Sequence, residues 1–524
     1  MWLTARSLLA LGILLLPLSR TSATFACGQP NPAAIAATFD FAANGSLALD
    51  SSQIPGATGP GLVPASLLMA IGWVESGWRQ FTPRGDPLLS SDFGYGIMQI
   101  TSGMDGAFGR VHGSLARPVQ SRIATDFRFN IAAGARILEQ KWRAVPMVGS
   151  GDPSVLEDWY YAIWAYNGWG WVNNPNNPRF ARHGNPASDP GSYPYQERVL
   201  YLVAHPPHDA DGNPLWPPVP VALPSRGAIG DKPAAYKPAH RHRAPPASVG
   251  VVYQPSRLTP FAPGAAHVVS VRLVNTGTAP WTASNQSALA LTYHLFTTAG
   301  DPWHPFSATS PGVLVFGADP VTLPRIVLPG QSITVNETVQ APSAPGQYRL
   351  VWDLEEGAGQ YFSAAGILPH AQRLTVGSKA LSPAPTPTTT PEPDEDAHFL
   401  ADTSTTDGSV LKLGQLFAKG WLLFNPGKSG WADGVHLRRI SGPSFGASTI
   451  SVPLTASCRT VNVVATLRAP RQRGSYKAVW RMQDPSGHLF GDRLTVVVTV
   501  KGTPPRHPTP TPSAVVTPTP TPVG

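Results

Sequence analysis

The sequence predicts a multidomain chain: an N-terminal, mainly α domain, then two β-sandwich domains, joined by Pro-rich linkers. Three observations carry this reading. The 524 residues exceed the ~100–200 of one ordinary domain. Apolar residues recur at helical spacing before residue 205 and in β-rich runs after residue 250. Of the 58 prolines, 24 fall within residues 206–246, 381–396 and 503–524, where fixed φ angles and missing backbone donors favour extended chain.

Composition narrows the function classes. Charged residues are 13% and hydrophobic residues 42%, so ample apolar surface is available to bury and a wholly disordered chain is excluded. Two cysteines exclude a disulfide scaffold and a Cys-based zinc module, and no cofactor or metal is expected. Cys27 and Cys458 fall in different units and are not expected to bridge. The net charge of +8 raises nucleic acid as a partner, but no nucleic-acid motif accompanies it.

Residues 1–26 read as a signal peptide: Arg6 supplies a basic start and Leu8 to Leu18 an apolar run too short to span a bilayer. Ala23 or Ala26 precedes the expected cleavage. Cys27 after Ala26 resembles a bacterial lipobox, with Thr24 where Leu is usual and a bulky Phe25, so ordinary cleavage is expected rather than lipid anchoring at Cys27. No later segment reaches ~18 consecutive apolar residues. The expected location is secreted or at a bacterial cell surface or envelope, with no transmembrane segment in the mature chain. The expected units are 27–205 (helical), 206–247 (Pro-rich linker), 248–377 (β-sandwich), 378–396 (Pro/Thr/acidic linker), 397–501 (β-sandwich) and 502–524 (Pro/Thr-rich tail).

In the first unit, Pro64 opens a helix with apolar Leu67, Ile71, Val74 and Trp78 on one face. Residues 130–142, 156–167 and 196–205 are also helix-like. In the later units, 268–275, 332–341, 461–469 and 494–500 are β-rich. These two units repeat each other. Asn275-x-Gly277-x-x-x-Trp281 matches Asn425-x-Gly427-x-x-x-Trp431. Ala341-Pro342-x-x-x-Gly346-x-Tyr348-x-x-x-Trp352 matches Ala469-Pro470-x-x-x-Gly474-x-Tyr476-x-x-x-Trp480. Trp281, Trp352, Trp431 and Trp480 read as core between sheets, with a sugar platform as the alternative. The His240-Arg-His242 pair in the first linker reads as solvated.

The chemical signal lies in the first unit. Glu75 follows Leu68 and Ile71 by seven and four residues and so leaves a largely apolar helix face. Burial there would hold the carboxyl protonated, as a general acid requires. Downstream come Ser91-Asp-Phe-Gly94-Tyr95-Gly96-Ile97-Met98-Gln99-Ile100, then Asn130-x-x-x-Gly134-x-x-x-Leu138, then Ala165-Tyr166-Asn167-Gly168, then Tyr193-x-Tyr195-x-Glu197-Arg198. The paired glycines allow close backbone approach to a ligand.

In motif order and spacing, residues 60–205 resemble the lysozyme-like lytic transglycosylases of the soluble-lytic (SLT) type. The resemblance implies cleavage of the β-1,4 bond between N-acetylmuramic acid and N-acetylglucosamine in peptidoglycan. Glu75 would act as acid and then base. Ser76 and Ser91 would hold the acid and substrate, with Gly96, Met98, Gln99, Tyr166 and Asn167 lining the sugar cleft. Glycosidases ordinarily flank the bond with two carboxylates. With one clear carboxylate here, the expectation is substrate assistance and a 1,6-anhydro end. Asp92 is the residue that would favour hydrolysis, as in goose-type lysozymes. Glu197 is read as half of a structural ion pair. Trp169 and Trp171 follow the Y-N motif and flank the expected groove.

Residues 397–501 resemble the four-tryptophan Ig-like domain, known from autophagy receptors and bacterial surface proteins. The residues that carry this are Asp402, Asp407-Gly408, Lys419-Gly-Trp421, Asn425, Trp431, Trp480-Arg-Met482 and Phe490-Gly491. Residues 251–377 resemble a divergent relative. The family implies binding or spacing rather than a reaction, so a non-catalytic wall-binding or adhesion protein is the alternative reading. Residues 398–501 hold 13 basic and five acidic side chains, which points to anionic wall polymers as partners of that unit.

Overall fold

The computed structural model describes residues 28–47, 63–105, 113–231, 233–245, 249–283, 288–300, 308–357, 359–377 and 395–502. The signal-peptide, lipid-anchor and tail expectations lie outside the described residues, as does most of the 378–396 linker.

Six helices build the N-terminal region: α1 (Pro32–Ala43), α2 (Ala65–Ser76), α3 (Arg117–Thr125), α4 (Phe127–Ala144), α5 (Tyr160–Gly168) and α6 (Tyr195–Ala204). Local chemistry sets their ends. The Asn31 side chain caps α1, with Pro32 in the first turn. Gly77, at φ +62°, ends α2 in the left-handed region that glycine tolerates best. Asp126 caps α4 by accepting from the N–H groups of Arg128 and Phe129. Leu67, Leu68 and Ile71 of α2 are fully buried with Ile131 and Leu138 of α4 and Trp159 and Trp164 around α5.

The stretch 206–247, expected as a linker, is a strap over these helices. Trp216, Val219 and Ile229 are buried in the helical core. Val219 N–H donates to Val203 O at 3.1 Å. Buried Glu157 accepts from the N–H groups of Ala222 and His242 and pairs with His242 Nδ1 at 2.6 Å. Arg241 pairs with buried Asp158 at 3.0 Å. His242 is therefore engaged rather than solvated. Proline keeps this chain extended, but its aromatic and charged residues give it partners.

The fold class is corrected accordingly. Strands make up 32% of the described residues and helices 20%, so the described structure is mostly β, with a small helical region that is not clearly lysozyme-like. The helices are short, most of 9–12 residues, and irregular chain completes their core.

The strands of residues 251–376 are β1 (Val251–Pro255), β2 (Ala266–Asn275), β3 (Leu289–Thr297), β4 (Val313–Val315), β5 (Val321–Thr322), β6 (Ser332–Gln340), β7 (Gly346–Glu356), β8 (Gln360–Tyr361) and β9 (His370–Val376). One sheet runs β1-β2-β6 and the other β4-β3-β7-β8, with β5 on β3 and β9 on β7. Those of residues 398–501 are β10 (His398–Asp402), β11 (Ser409–Lys412), β12 (Leu416–Asn425), β13 (His436–Ser441), β14 (Thr449–Ser451), β15 (Arg459–Arg468), β16 (Gly474–Gln483) and β17 (Leu489–Lys501). They form β10-β12-β15 and β11-β17-β16-β13-β14 sheets. Strand β6 alternates buried and exposed side chains strictly, as a strand with one solvated face does.

The sequence repeat has a structural basis. Asn275 donates to Ala279 O and Val327 O and accepts from Gly277 N–H. Asn425 donates to Ser429 O and Thr455 O and accepts from Gly427 N–H. Each fully buried amide thus closes the turn before its tryptophan. Tyr348 and Tyr476 each donate to the carbonyl four residues upstream. Trp281, Trp352, Trp431 and Trp480 are all at most 3% exposed, which excludes them as a sugar platform.

The last β unit docks on the helices. Thr460 N–H donates to Ser121 Oγ at 3.0 Å, and Arg459 Nη1 to Thr125 Oγ1 at 2.7 Å. Phe81 packs on Phe424 beside Cys458. Cys458 is disulfide-bonded, contrary to expectation. The chain's other cysteine, Cys27, lies outside the described residues.

His398 bridges Asp86 of the helical region and Asp396. Burial opposes its charge, but hydrogen bonds to Asp396 and Asp86 prevail and raise its pKa to about 9. A folded-state pKa above the ordinary ~6.5 stabilises fully below that value, and the contribution is lost as pH rises through about 9. Wild type should therefore melt above His398→Gln near neutrality, and the difference should vanish in a melting series carried past pH 9. A constant gap across the series would contradict this account.

Candidate functional site

The candidate site sits where α2 ends, against the loop 90–100 and the start of α6. Glu75, in the last turn of α2, is half-buried. Tyr195 Oη donates to Glu75 Oε1 at 2.5 Å. Burial, reinforced by the Glu75 charge, raises the Tyr195 phenol well above its ordinary value, so the phenol stays protonated as donor. Arg198 lies one turn along α6. Burial lowers its pKa, while the nearby Tyr195 and Glu75 oppose that. Carboxyl, phenol and guanidinium thus form one small polar cluster.

Most other expected site residues stitch the loop together. Ser76 is buried; its Oγ lies 2.9 Å from Ile97 O and accepts from Arg79 N–H at 3.1 Å. Gly96 is buried at φ +67°, and a Cβ there would come within 2.5 Å of Gln80 Oε1, so the position demands glycine. Met98 is fully buried, and the space left by Gly134 holds its side chain. Tyr166 Oη donates to Met98 O at 2.8 Å. Gln99, at φ +45°, turns back so that Nε2 donates to Gly96 O at 2.8 Å. Asn167, at the end of α5, gives its carbonyl to Asn173 Nδ2. Ser91 is exposed in the turn. Its neighbour Ser90 holds that turn by donating to Asp92 Oδ1 and accepting from Gly94 N–H.

The structure therefore brings Glu75, Ser76, Gly96, Met98, Gln99 and Tyr166 into one neighbourhood and leaves Ser91 outside it. Two hubs have roles that the sequence does not show: Asn130, visible there only as a motif residue, and Gln80. Buried Asn130 donates to Tyr95 O and Ile123 O and accepts from Met98 N–H. Buried Gln80 donates to Ala124 O and accepts from Ile97 N–H. Fully satisfied buried amides of this kind lock a loop. Tyr195 was missed as a Glu75 partner because 120 residues separate them. Glu197 is held by Arg182, Nε to Oε2 at 2.8 Å, and not by Arg198.

Beyond the end of α5, Trp169 and Trp171 are 40% and 49% exposed. They line a hollow of about 380 Å³ with Trp164, Asn174 and Asp231. Trp164 is 1% exposed, and its buried Nε1–H has no hydrogen-bond partner. The Trp169 ring packs on Trp164 at a centroid distance of 4.5 Å, and exposed aromatic faces suit a flat ligand with an apolar face. Among the described residues no cluster of His, Cys, Asp and Glu could hold a metal. No described helix is long and apolar enough to cross a membrane.

A family model described as "Ig-like domain from next to BRCA1 gene" matches residues 404–500. Protein ILRUN of Danio rerio is 27% identical over 104 residues, covering 20% of this chain and 37% of that protein. The NBR1 homolog of Arabidopsis thaliana is 31% identical over 111 residues, covering 20% of this chain and 16% of that protein. JOKA2 of Solanum tuberosum is 29% identical over 111 residues, covering 20% and 13%. The chain thus spans at most 37% of the length of these relatives. Among solved structures, a β-glucosidase from Listeria innocua aligns with a TM-score of 0.16 at 12% identity, covering 25% of this chain and 17% of that one. Red sea bream transglutaminase aligns with 0.15 at 14% identity, covering 48% and 31%. Scores this low carry no argument about fold.

These findings correct the resemblance of residues 60–205. No lytic-transglycosylase domain is found in the chain, and the relatives are animal and plant proteins of another kind. The motif residues that suggested one are largely spent on bonding each other. What the comparisons support is an Ig-like domain over residues 404–500.

Proposed function

We propose that this chain is a non-catalytic binding protein of a cell surface, which attaches to surface glycan strands. Its Ig-like region supports a binding or adaptor role. The observation that carries the glycan reading is the exposed Trp169–Trp171 pair lining one hollow. Exposed tryptophan rings stack on sugar faces. The basic excess of residues 398–501 adds attraction to anionic polymers, screened by salt.

The test is co-sedimentation of the full chain with purified peptidoglycan and with insoluble chitin. Saturable pelleting with either is expected, and the double variant Trp169→Ala/Trp171→Ala should weaken it roughly tenfold, the loss of about 1.4 kcal/mol. Unchanged binding by that variant would contradict the reading. Weakening with salt on peptidoglycan but not on uncharged chitin would assign the second contribution to the basic unit.

A further inference from the structure

A second cavity, of about 710 Å³, lies where the helical region, the strap and the first β unit meet. Its walls are chiefly apolar. Val63, Met69, Trp78 and Trp216 line it and are each at most 5% exposed. Asn44 pins the junction by donating to Thr276 O at 2.9 Å.

Most polar groups facing this space are neutral; the carboxyls of Asp40, Asp209 and Asp211 line it, and no lysine or arginine does. Asp211 lies 3.9 Å from Arg373 Nε, Asp209 accepts from the N–H groups of Asp211 and Asn213, and burial lowers the pKa of His370, which also lines the space. The C-terminal end of α1 reaches it through Asp40, Ala43 and Asn44, with no basic residue in that helix's last turn. The helix dipole adds negative potential there. The N-terminus of α2 is the one feature of opposite sign, and a half-charge does not offset carboxylates. Ser66, 7% exposed, lines the cavity, and its Oγ has no hydrogen-bond partner. Burial pushes the Asp40 carboxyl up to about 7, against the Thr276 hydroxyl, as expected of an acid that lacks a counter-ion.

We propose that this cavity binds a small amphiphile with a primary amine head, the apolar body against Trp78 and Trp216 and the ammonium on Asp40. A linear chain of ten carbons fits the volume, and a cationic head supplies the missing counter-ion. Neither surface glycan nor Glu75 takes part, so the inference stands apart from the proposed function.

Calorimetric titration of the full chain with decylamine, decanol and decanoate, all below their micellar concentrations, tests it. Decylamine should bind saturably and about tenfold or more tighter than decanol, with decanoate weakest. Asp40→Asn should bring decylamine down to the decanol level and leave decanol unchanged. Met69→Trp, which fills the space, should weaken all three. Absence of saturable decylamine binding to wild type would overturn the proposal. Equal affinity for decylamine and decanol, or strongest binding of decanoate, would overturn it too, and these outcomes require no variant to fold.

Discussion

A chain ended at residue 205 is expected to lose the helical fold that one ended at residue 245 retains. Removal of the strap uncovers the core around Trp159 and Trp164 and takes away buried Trp216, Val219 and Ile229. Losing one large aromatic from a core costs ~3–5 kcal/mol. The same truncation strips Glu157 of His242 and Asp158 of Arg241. Both carboxylates are at most 2% exposed, and leaving a buried charge unpaired costs a further ~3–5 kcal/mol. The sum reaches the ~5–15 kcal/mol that stabilises a whole domain. Thermal unfolding followed by circular dichroism checks this. The longer fragment should melt cooperatively and the shorter one should show no transition. Equal melting of both would mean that the strap merely lies on the surface.

Trp480→Ala is expected to destabilise the last β unit by about 3–5 kcal/mol. The indole is fully buried and packs at a centroid distance of 6.4 Å from Trp421 of the opposing sheet. Leu454→Ala, at a side chain 73% exposed, should change stability by less than ~0.5 kcal/mol. Chemical unfolding monitored by tryptophan fluorescence distinguishes the two. A Trp480→Ala transition that coincides with wild type would contradict the burial of that indole between sheets.

Legibility in the sequence followed the physics of each signal. Helices α2 and α4 were readable because their apolar residues recur at 3.6 spacing. Helix α1, rich in alanine, carries little such contrast, and α3, though amphipathic, is only nine residues long; both were missed. The Asn-x-Gly-x-x-x-Trp repeat was readable because one turn is built twice, with the same three bonds around Asn275 and Asn425. The strap was misread because proline content reports backbone preference and not what the side chains touch. Trp216 and Tyr236 within it were the signal that it was not a solvated linker. The candidate site was legible only in part, for a related reason. Short motifs place Ser76, Met98 and Gln99 near Glu75, but motif spacing does not distinguish side chains that face a ligand from those that bond their own loop. Pairings such as Glu157 with His242 and Glu75 with Tyr195 are set by tertiary packing alone.

The most direct test of a binding rather than a cleaving role is mass spectrometry of the soluble fraction after prolonged incubation of the full chain with purified peptidoglycan. The account predicts that the protein sediments with the polymer and that no glycan ends appear above the protein-free control. New glycan ends in the wild-type sample that are lost with Glu75→Gln would contradict it.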